Sequence, residues 1–171
     1  MMTAREATYD ALVRDDVVAF EKLLDQQPQL QTHDRGVFYL VHACNRGRFG
    51  IVQALVRRGV DVNAVRDNEN DPEGAVVSAA DSGHLEVTRW MLDQGALVNY
   101  VVGGKTRCFA LTGAVVGGYI NVVKLLVERG ADVNATGGRT TPLGYAVGFN
   151  QPEIADYLRS VGAKLPDELP K

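Results

Sequence analysis

The residues at positions 103–106 have types that could bind a phosphate, since they read Gly-Gly-Lys-Thr. In a loop of the form G-x-x-x-x-G-K-[ST], backbone N–H groups surround the phosphates, while the lysine contacts them and the hydroxyl contacts Mg²⁺. The first glycine of that motif would be residue 99, which is Asn99. The segment also lies between two predicted helices instead of following a parallel strand. Binding of a nucleotide or small ligand, or an enzyme that uses this segment, is therefore the alternative hypothesis.

Acidic residues dominate the segment 66–73, which reads Arg-Asp-Asn-Glu-Asn-Asp-Pro-Glu. Its alternating carboxylates resemble the start of a calcium loop, D-x-[DN]-x-[DN]-G. The sixth position is Pro72 instead of glycine and the twelfth is Ser78 instead of glutamate, which excludes that site. Two interpretations stay open: a solvated surface loop, or an acidic contact for a basic protein partner. The charged residues concerned are Arg66, Asp67, Glu69, Asp71 and Glu73.

The few histidines and cysteines lack the spacing of a catalytic or metal centre. The chain has His33, His42 and His84, with Cys44 and Cys108. His42 and Cys44 lie two residues apart on a predicted helix and so point to different sides, and no third residue has the spacing of a metal ligand. We therefore predict no catalytic residue, no metal and no cofactor.

Composition narrows the class of protein further. The chain has 171 residues, a formal net charge of −3, 46% apolar residues and 23% charged residues, as in an ordinary globular domain. That charge offers no basic surface to nucleic acid, and no apolar run reaches the roughly 20 residues that span a bilayer. Two cysteines are too few for a disulfide framework, and Glu6 and Asp10 stand where a signal peptide would be apolar. We expect a cytoplasmic protein that binds neither nucleic acid nor membrane.

Repeated units position these segments, and pairs of residues twelve apart mark the units. An alanine lies four residues before the first member of every pair, which confirms the register independently. The spacing of 32 to 36 residues between copies predicts a solenoid of stacked units. The pairs are Asp15 and Gln27, Gly47 and Gly59, Gly83 and Gly95, Gly118 and Gly130, and Asn150 and Gly162, and the alanines are Ala11, Ala43, Ala79, Ala114 and Ala146.

Each unit is interpreted as a helix, a tight turn, a second helix and a projecting loop. The first glycines of the pairs suit a turn with positive φ, where asparagine is also tolerable, and the second glycines suit the left-handed position just past a helix C-terminus. Apolar residues in the second helices follow helical spacing, as in Val122, Leu125 and Leu126. The last copy has Arg159 where inner copies have valine or leucine, as expected of a solvated end unit.

This pattern resembles the ankyrin-repeat family. The consensus T-P-L-H-x-A-A-x-x-G-H…L-L-x-x-G-A-D-V-N is matched by Thr-Pro-Leu at 141–143, Gly-His-Leu at 83–85 and Leu-Leu-Val-Glu-Arg-Gly-Ala-Asp-Val-Asn at 125–134. The resemblance implies an all-α ankyrin solenoid in a single domain, residues 1–171. Because the Thr-Pro pair is absent from the inner units, their helix starts are expected to be less sharply defined. Five repeats, including both caps, are predicted at about 3–34, 35–67, 68–103, 104–136 and 137–165, with a tail at 166–171.

The resemblance also implies a protein–protein interaction module that binds through its concave face and finger loops. Residues just before each inter-helix turn would face the groove, and two loops longer than the usual repeat would form a binding edge. Phe149 has a second interpretation, packing over the last repeat. The predicted contacts are Arg14, Asn45, Arg46, Asp81, Ser82, Val116 and Phe149 in the groove, the acidic loop from Arg66 to Glu73, and Tyr100, Lys105 and Arg107 in the second finger.

A lone binding module most simply acts by blocking its partner. We therefore rank an inhibitor or immunity-type factor, directed at an enzyme or toxin, ahead of an adaptor or a secreted effector. The free protein is predicted to be a monomer.

Overall fold

Ten α-helices form the described part of the chain, which covers residues 3–26, 33–66, 73–99, 110–136 and 140–169 of the computed structural model. A 3₁₀ turn, Pro166–Glu168, follows the last helix. The helices are α1 (Ala4–Arg14), α2 (Val17–Gln26), α3 (His33–Asn45), α4 (Phe49–Arg57), α5 (Ala75–Asp81), α6 (Leu85–Asp93), α7 (Ala110–Val116), α8 (Ile120–Glu128), α9 (Pro142–Gly148) and α10 (Pro152–Ser160).

The helices pack as consecutive pairs in two layers. Each odd-numbered helix contacts the even-numbered helix that follows it. The odd-numbered helices also contact one another in chain order and form the inner layer, and the even-numbered helices do the same in the outer layer. Each pair therefore has its main contacts with its immediate neighbours, which is the arrangement of a solenoid. The predicted helical solenoid is confirmed.

Tight turns join the two helices of each pair, as predicted from the glycines. Gly47 has φ 65° and Gly83 has φ 75°, while Asp15 and Asn150 adopt the same left-handed region without glycine. Glycine is needed at the inner turns for a second reason. A Cβ atom built on Gly47 would lie 2.6 Å from Nδ1 of the His84 ring in the next turn. The ring can therefore cover the turn only because the side chain beneath it is absent.

The core lies between the two layers and between neighbouring pairs. The five alanines that set the register are all buried, and so is the small Cys44 that follows one of them. Burial raises the pKa of the Cys44 thiol, so this cysteine stays protonated and acts as a small apolar side chain. Phe20 and Tyr39 meet edge-on across the first two pairs, with ring centroids 5.5 Å apart. Trp90 and Phe49 do the same in the outer layer at 5.9 Å.

Asparagine side chains connect successive loops. Asn63 Nδ2 donates to the carbonyl of Gly95 at 3.2 Å, and Asn63 Oδ1 accepts from the N–H of Leu97 at 2.9 Å. Asn99 makes the equivalent pair of bonds to Gly130 and Asp132. Asn134 repeats them to Gly162 and Lys164. These amides give each loop a fixed position against the next, because each uses both its donor and its acceptor.

Helix starts do not follow the expectation from the missing Thr-Pro motif, because α5 and α7 lack it and begin in the same register as α9, which has it. Thr141 is a side-chain cap for α9, since its Oγ1 accepts from the N–H of Gly144 at 3.2 Å. Helix α5 follows Gly74 without a side-chain cap. Helix α3 begins at His33, well before the apolar stretch that starts at Val37. Helices α5, α7 and α9 nevertheless begin at the same register position, eight residues before the turn residue, whereas α1 and α3 begin earlier.

Two strand residues on each side form a short stem around the acidic loop. Strand β1 (Val65–Arg66) pairs antiparallel with β2 (Glu73–Gly74), with Val65 opposite Gly74 and Arg66 opposite Glu73. Residues 67–72 between them lie outside the described ranges. The stem supports the interpretation of this loop as a hairpin-like finger.

Candidate functional site

The residues predicted to face the groove recur at one register position in each unit. They are the two residues that precede each turn residue at the end of an inner helix, and we call this set the inner row. Because α1, α3, α5, α7 and α9 pack side by side, equivalent positions on them fall in line across the molecule. The inner row consists of Val13 and Arg14, Asn45 and Arg46, Asp81 and Ser82, Val116 and Gly117, and Gly148 and Phe149.

Arginine and aromatic side chains cluster at the first end of the inner row. The Arg46 guanidinium lies 5.6 Å from the centroid of the Tyr9 ring, and its Nη1 is 3.2 Å from His42 Nδ1. Arg5 and Arg66 approach the Phe38 ring to 5.9 and 5.1 Å. These contacts hold several cations against aromatic faces. The residues are of the types that dominate the binding energy of protein interfaces.

A cavity of about 480 Å³ opens beside this cluster. Tyr9, Phe38 and residues of the first turn of α1 line this cavity. Glu6, also in the lining, caps α1 by accepting from the N–H of Thr3 at 2.6 Å, and that backbone hydrogen bond lowers the pKa of its carboxyl. The Glu6 carboxylate is therefore already bonded to the N-terminus of α1.

Polar residues in the middle of the inner row mostly bond to one another. Asn45 Nδ2 donates to Ser82 Oγ at 3.0 Å, which joins α3 to α5. His84 Nε2 lies 3.0 Å from the carbonyl oxygen of Asn45, so the imidazole bonds to the preceding turn. At the first end of the inner row, Arg14 forms an ion pair with Asp10, with 3.2 Å between their nitrogen and oxygen atoms. These predicted contacts are therefore already tied to neighbours in the free protein.

Asp81 differs from these residues. In the described ranges, its carboxylate accepts no hydrogen bond and has no ion-pair partner, although the residue is exposed. Its side chain lies against Gly113 of the next inner helix, where an added Cβ would be 3.1 Å from Asp81 Oδ1. The resulting desolvation raises the pKa of the Asp81 carboxyl. The middle of the inner row thus holds an uncompensated negative charge.

Apolar side chains form the last part of the inner row. Val116 is 38% exposed and Phe149 is 55% exposed. The Phe149 ring stacks on Tyr145 of the same helix pair at 6.3 Å between centroids and 18° between planes. More than half of Phe149 is nevertheless open to solvent, so packing over the last pair leaves one of its faces available. Large exposed apolar residues in line with free charge are typical of interaction surfaces.

The comparison with protein families decides what this arrangement is. A family model described as ankyrin repeats (3 copies) matches residues 11–102, 40–137 and 102–168. This chain belongs to the ankyrin-repeat family. Ankyrin repeats are generally protein–protein interaction modules, and the family is generally non-enzymatic. The resemblance drawn from the glycines and the Thr-Pro-Leu motif is thereby confirmed.

Similar ankyrin proteins are much longer than this chain. The ankyrin repeat and KH domain-containing protein mask-1 of Caenorhabditis elegans is 28% identical over 134 residues, which are 78% of this chain and 5% of the relative. The ankyrin repeat and KH domain-containing protein 1 of Homo sapiens is 35% identical over 95 residues, 56% of this chain and 4% of the relative. Zygote-specific protein 3 of Chlamydomonas reinhardtii is 36% identical over 117 residues, 67% of this chain and 29% of the relative. The chain spans less than a third of the length of each of them.

Several predicted ankyrin contacts cannot be placed against the inner row. The alternative phosphate segment, residues 103–106, also lies outside the described ranges. Arg66 lies on β1, and Glu73 lies opposite it on β2. The predicted contacts outside the described ranges are Asp67, Glu69, Asp71, Tyr100, Lys105 and Arg107.

Sequence reasoning missed the arginine–aromatic cluster and the asparagine bonds of this ankyrin stack. The cluster had a detectable signal, because Phe38, His42 and Arg46 recur at every fourth residue and so share one face of α3. The asparagines also recurred, after valine at the end of GVDVN, GALVN and GADVN. Their partners could not be found from sequence, since each bond joins different repeats.

The described ankyrin repeats contain neither a metal-site arrangement nor a membrane-spanning helix. No group of three or more His, Cys, Asp or Glu side chains there is arranged to hold a metal ion. Within the same ranges, no helix is both long and apolar enough to cross a membrane.

Proposed function

We propose that this ankyrin-repeat chain is a non-enzymatic module that binds a protein partner along its inner row and finger loops. The observation that carries the proposal is the exposure of Val116 and Phe149 in line with the uncompensated Asp81. An apolar surface beside unpaired charge gives both binding energy and orientation.

A preformed surface is the physical basis of the proposed mechanism. The inner helices are held by a buried core, by covered turns and by the loop asparagines. A partner that docks on such a surface loses less free energy to ordering than one that must fold a flexible segment. The module would then act by occupancy, covering part of the partner's surface.

The finer role follows from this mechanism. We propose a monomeric cytoplasmic inhibitor or immunity-type factor whose partner is an enzyme or toxin, because blocking requires no activity beyond binding. An adaptor or an effector would use the same surface. The acidic finger around residues 66–73 would add a contact for basic groups of the partner.

A co-purification experiment with matched variants tests the proposal. The tagged full chain is expressed in its native cell, and bound proteins are quantified by mass spectrometry. Phe149→Ser together with Val116→Asp should reduce the recovery of a specific partner by at least about tenfold, as expected when central contacts are lost. Val18→Asp is the control, because Val18 is 78% exposed on the outer helix α2, away from the inner row.

Equal recovery with all variants would contradict the use of the inner row. The alternative, ligand binding through residues 103–106, is tested by calorimetry with ATP and GTP. Saturable micromolar binding that Lys105→Ala abolishes would replace the proposal made here.

A further inference from the structure

We propose that Asp81 receives an arginine or lysine side chain of the protein partner, next to an apolar partner residue that packs on Val116. This inference rests on the proposed function, and it specifies the chemistry of the partner segment that fits the middle of the inner row.

The other polar side chains of the inner row already have internal partners. Arg14 is paired with Asp10, Asn45 is bonded to Ser82, and Arg46 contacts His42 and Tyr9. Asp81 is the polar side chain of the described inner row that has no such contact. A charged group left without an internal partner at the centre of a binding surface is available for a group from outside.

The helices packed around Asp81 give it no ion-pair partner in the described ranges. Helix α7, against which the side chain lies, reads Ala-Leu-Thr-Gly-Ala-Val-Val and has no titratable residue. On the other side, the cation nearest in register is Arg46, which directly follows α3 and whose guanidinium lies over Tyr9 of α1. Glu86, Arg89 and Asp93 of α6 belong to the outer layer. Among the described residues, therefore, no internal cation competes with a partner's cation for this carboxylate.

Gly113 of α7, the Gly117 that directly follows α7 and the ring of Tyr119 form the surface beside the Asp81 carboxylate. These two glycines stand where the unit of α5 has Ser78 and Ser82. The Asp81 side chain lies against Gly113, and the Tyr119 ring covers Gly117. A Cβ on Gly113 would press against Asp81 at 3.1 Å, which shows how closely the backbone approaches. Tyr119 is 38% exposed, so the aliphatic stem of an arginine or lysine can lie on this ring while its charged end reaches the carboxylate.

Val116 determines which type of partner residue lies next to the partner's cation. Val116 occupies on α7 the register position that Asp81 occupies on α5. Packed helices are about 8–10 Å apart, which is close to the length of three extended residues. A basic residue and an apolar residue up to about three positions apart in the partner therefore reach Asp81 and Val116 together.

Peptide selection on the full chain tests this inference. A random twelve-residue peptide library is panned on the wild-type protein and, in parallel, on Asp81→Lys, Glu86→Lys and the double variant Val116→Asp with Phe149→Ser. Glu86 is the matched control, since it is an exposed carboxylate of α6 in the outer layer. Selected peptides should contain Arg or Lys within three positions of an apolar residue, and their affinity should fall at least about tenfold on Asp81→Lys while changing less than about twofold on Glu86→Lys.

The outcomes separate this inference from the proposed function. Peptides that lose binding to the double variant but bind equally well to Asp81→Lys would overturn the role of Asp81 and leave the inner row as the binding surface. Peptides that bind every variant equally, or a library that yields no specific binder, would count against both. Acidic peptides that bind Asp81→Lys more weakly than the wild type would also overturn the charge pairing.

Discussion

Asp81 is a residue whose charge costs stability in the free protein. Partial desolvation raises the pKa of its carboxyl, so folding favours the protonated form. The stabilisation linked to that proton is complete below the unfolded pKa, about 3.9, and is lost as pH rises through the raised pKa of the folded state. An exposed carboxylate that weakens the fold and has no ion-pair partner in the described part of the chain fits a binding role better than a structural one.

Replacing this carboxylate by its neutral isostere should therefore not weaken the fold. We expect Asp81→Asn to leave the free energy of unfolding at pH 7 unchanged or to raise it by a few tenths of a kcal/mol. The difference from the wild type should vanish as the pH falls below the unfolded pKa. Urea unfolding at several pH values measures it. A loss of more than about 1 kcal/mol at pH 7 would mean that Asp81 stabilises the fold.

The turn glycines allow a second test with a control in the same chain. Gly83→Ala forces an alanine to φ 75° and places its Cβ 2.5 Å from the Tyr119 ring, so we expect a loss of at least about 1–2 kcal/mol. Gly148→Ala changes a glycine at the end of α9 with no atom within 4 Å of the new Cβ. It should be neutral or stabilise by up to about 1 kcal/mol. Thermal unfolding of both variants compares them directly, and equal effects would contradict the role of the covered turn.

At the scale of the elements, the loops depend on the asparagine side chains for their spacing. Asn99→Ala removes one bond to the carbonyl of Gly130 and one from the N–H of Asp132. At about 0.5–1.5 kcal/mol for each bond, we expect a loss of about 1–3 kcal/mol. Asn121→Ala is the control, because Asn121 is exposed near the start of α8. Hydrogen exchange should also show faster exchange at Asp132 in the first variant only.

The helices and turns could be predicted from the sequence wherever residue spacing within a single repeat determines them. The turn residues, the buried alanines and the apolar face of α8 all follow from local spacing, and the structure confirms them. The early start of α3 at His33 does not follow from that spacing, because α5 and α7 also lack the Thr-Pro pair and begin in the register of α9. The isolation of Asp81 and the position of Arg46 over Tyr9 depend on which side chains neighbouring units present. Such contacts between units carry no signature in a single sequence.

At the scale of the whole molecule, the place of a unit in the stack decides what a residue does. Val115 and Val147 follow the register alanines of the last two inner helices. Val115 is fully buried because the next pair covers it, whereas Val147 is 48% exposed on the last pair of the described structure. The same register position is therefore core in one unit and surface in the next.

This difference predicts opposite outcomes for one substitution at two sites. Val115→Lys buries a charge without a partner and should cost more than about 3 kcal/mol, enough to unfold part of the stack. Val147→Lys should change stability by less than about 0.5 kcal/mol. Circular dichroism during thermal unfolding distinguishes them. Similar losses at both sites would show that Val147 is covered in the protein as it exists in solution.

Trp90 gives the molecule a built-in optical reporter. It is the single tryptophan of the chain, and it packs edge-on against Phe49 in the outer layer, between the second and third helix pairs. Its emission therefore responds to the separation of these two pairs, while occupation of the inner row leaves its surroundings unchanged. Fluorescence can thus follow unfolding of the middle of the stack while a bound partner is followed by a dye of another colour.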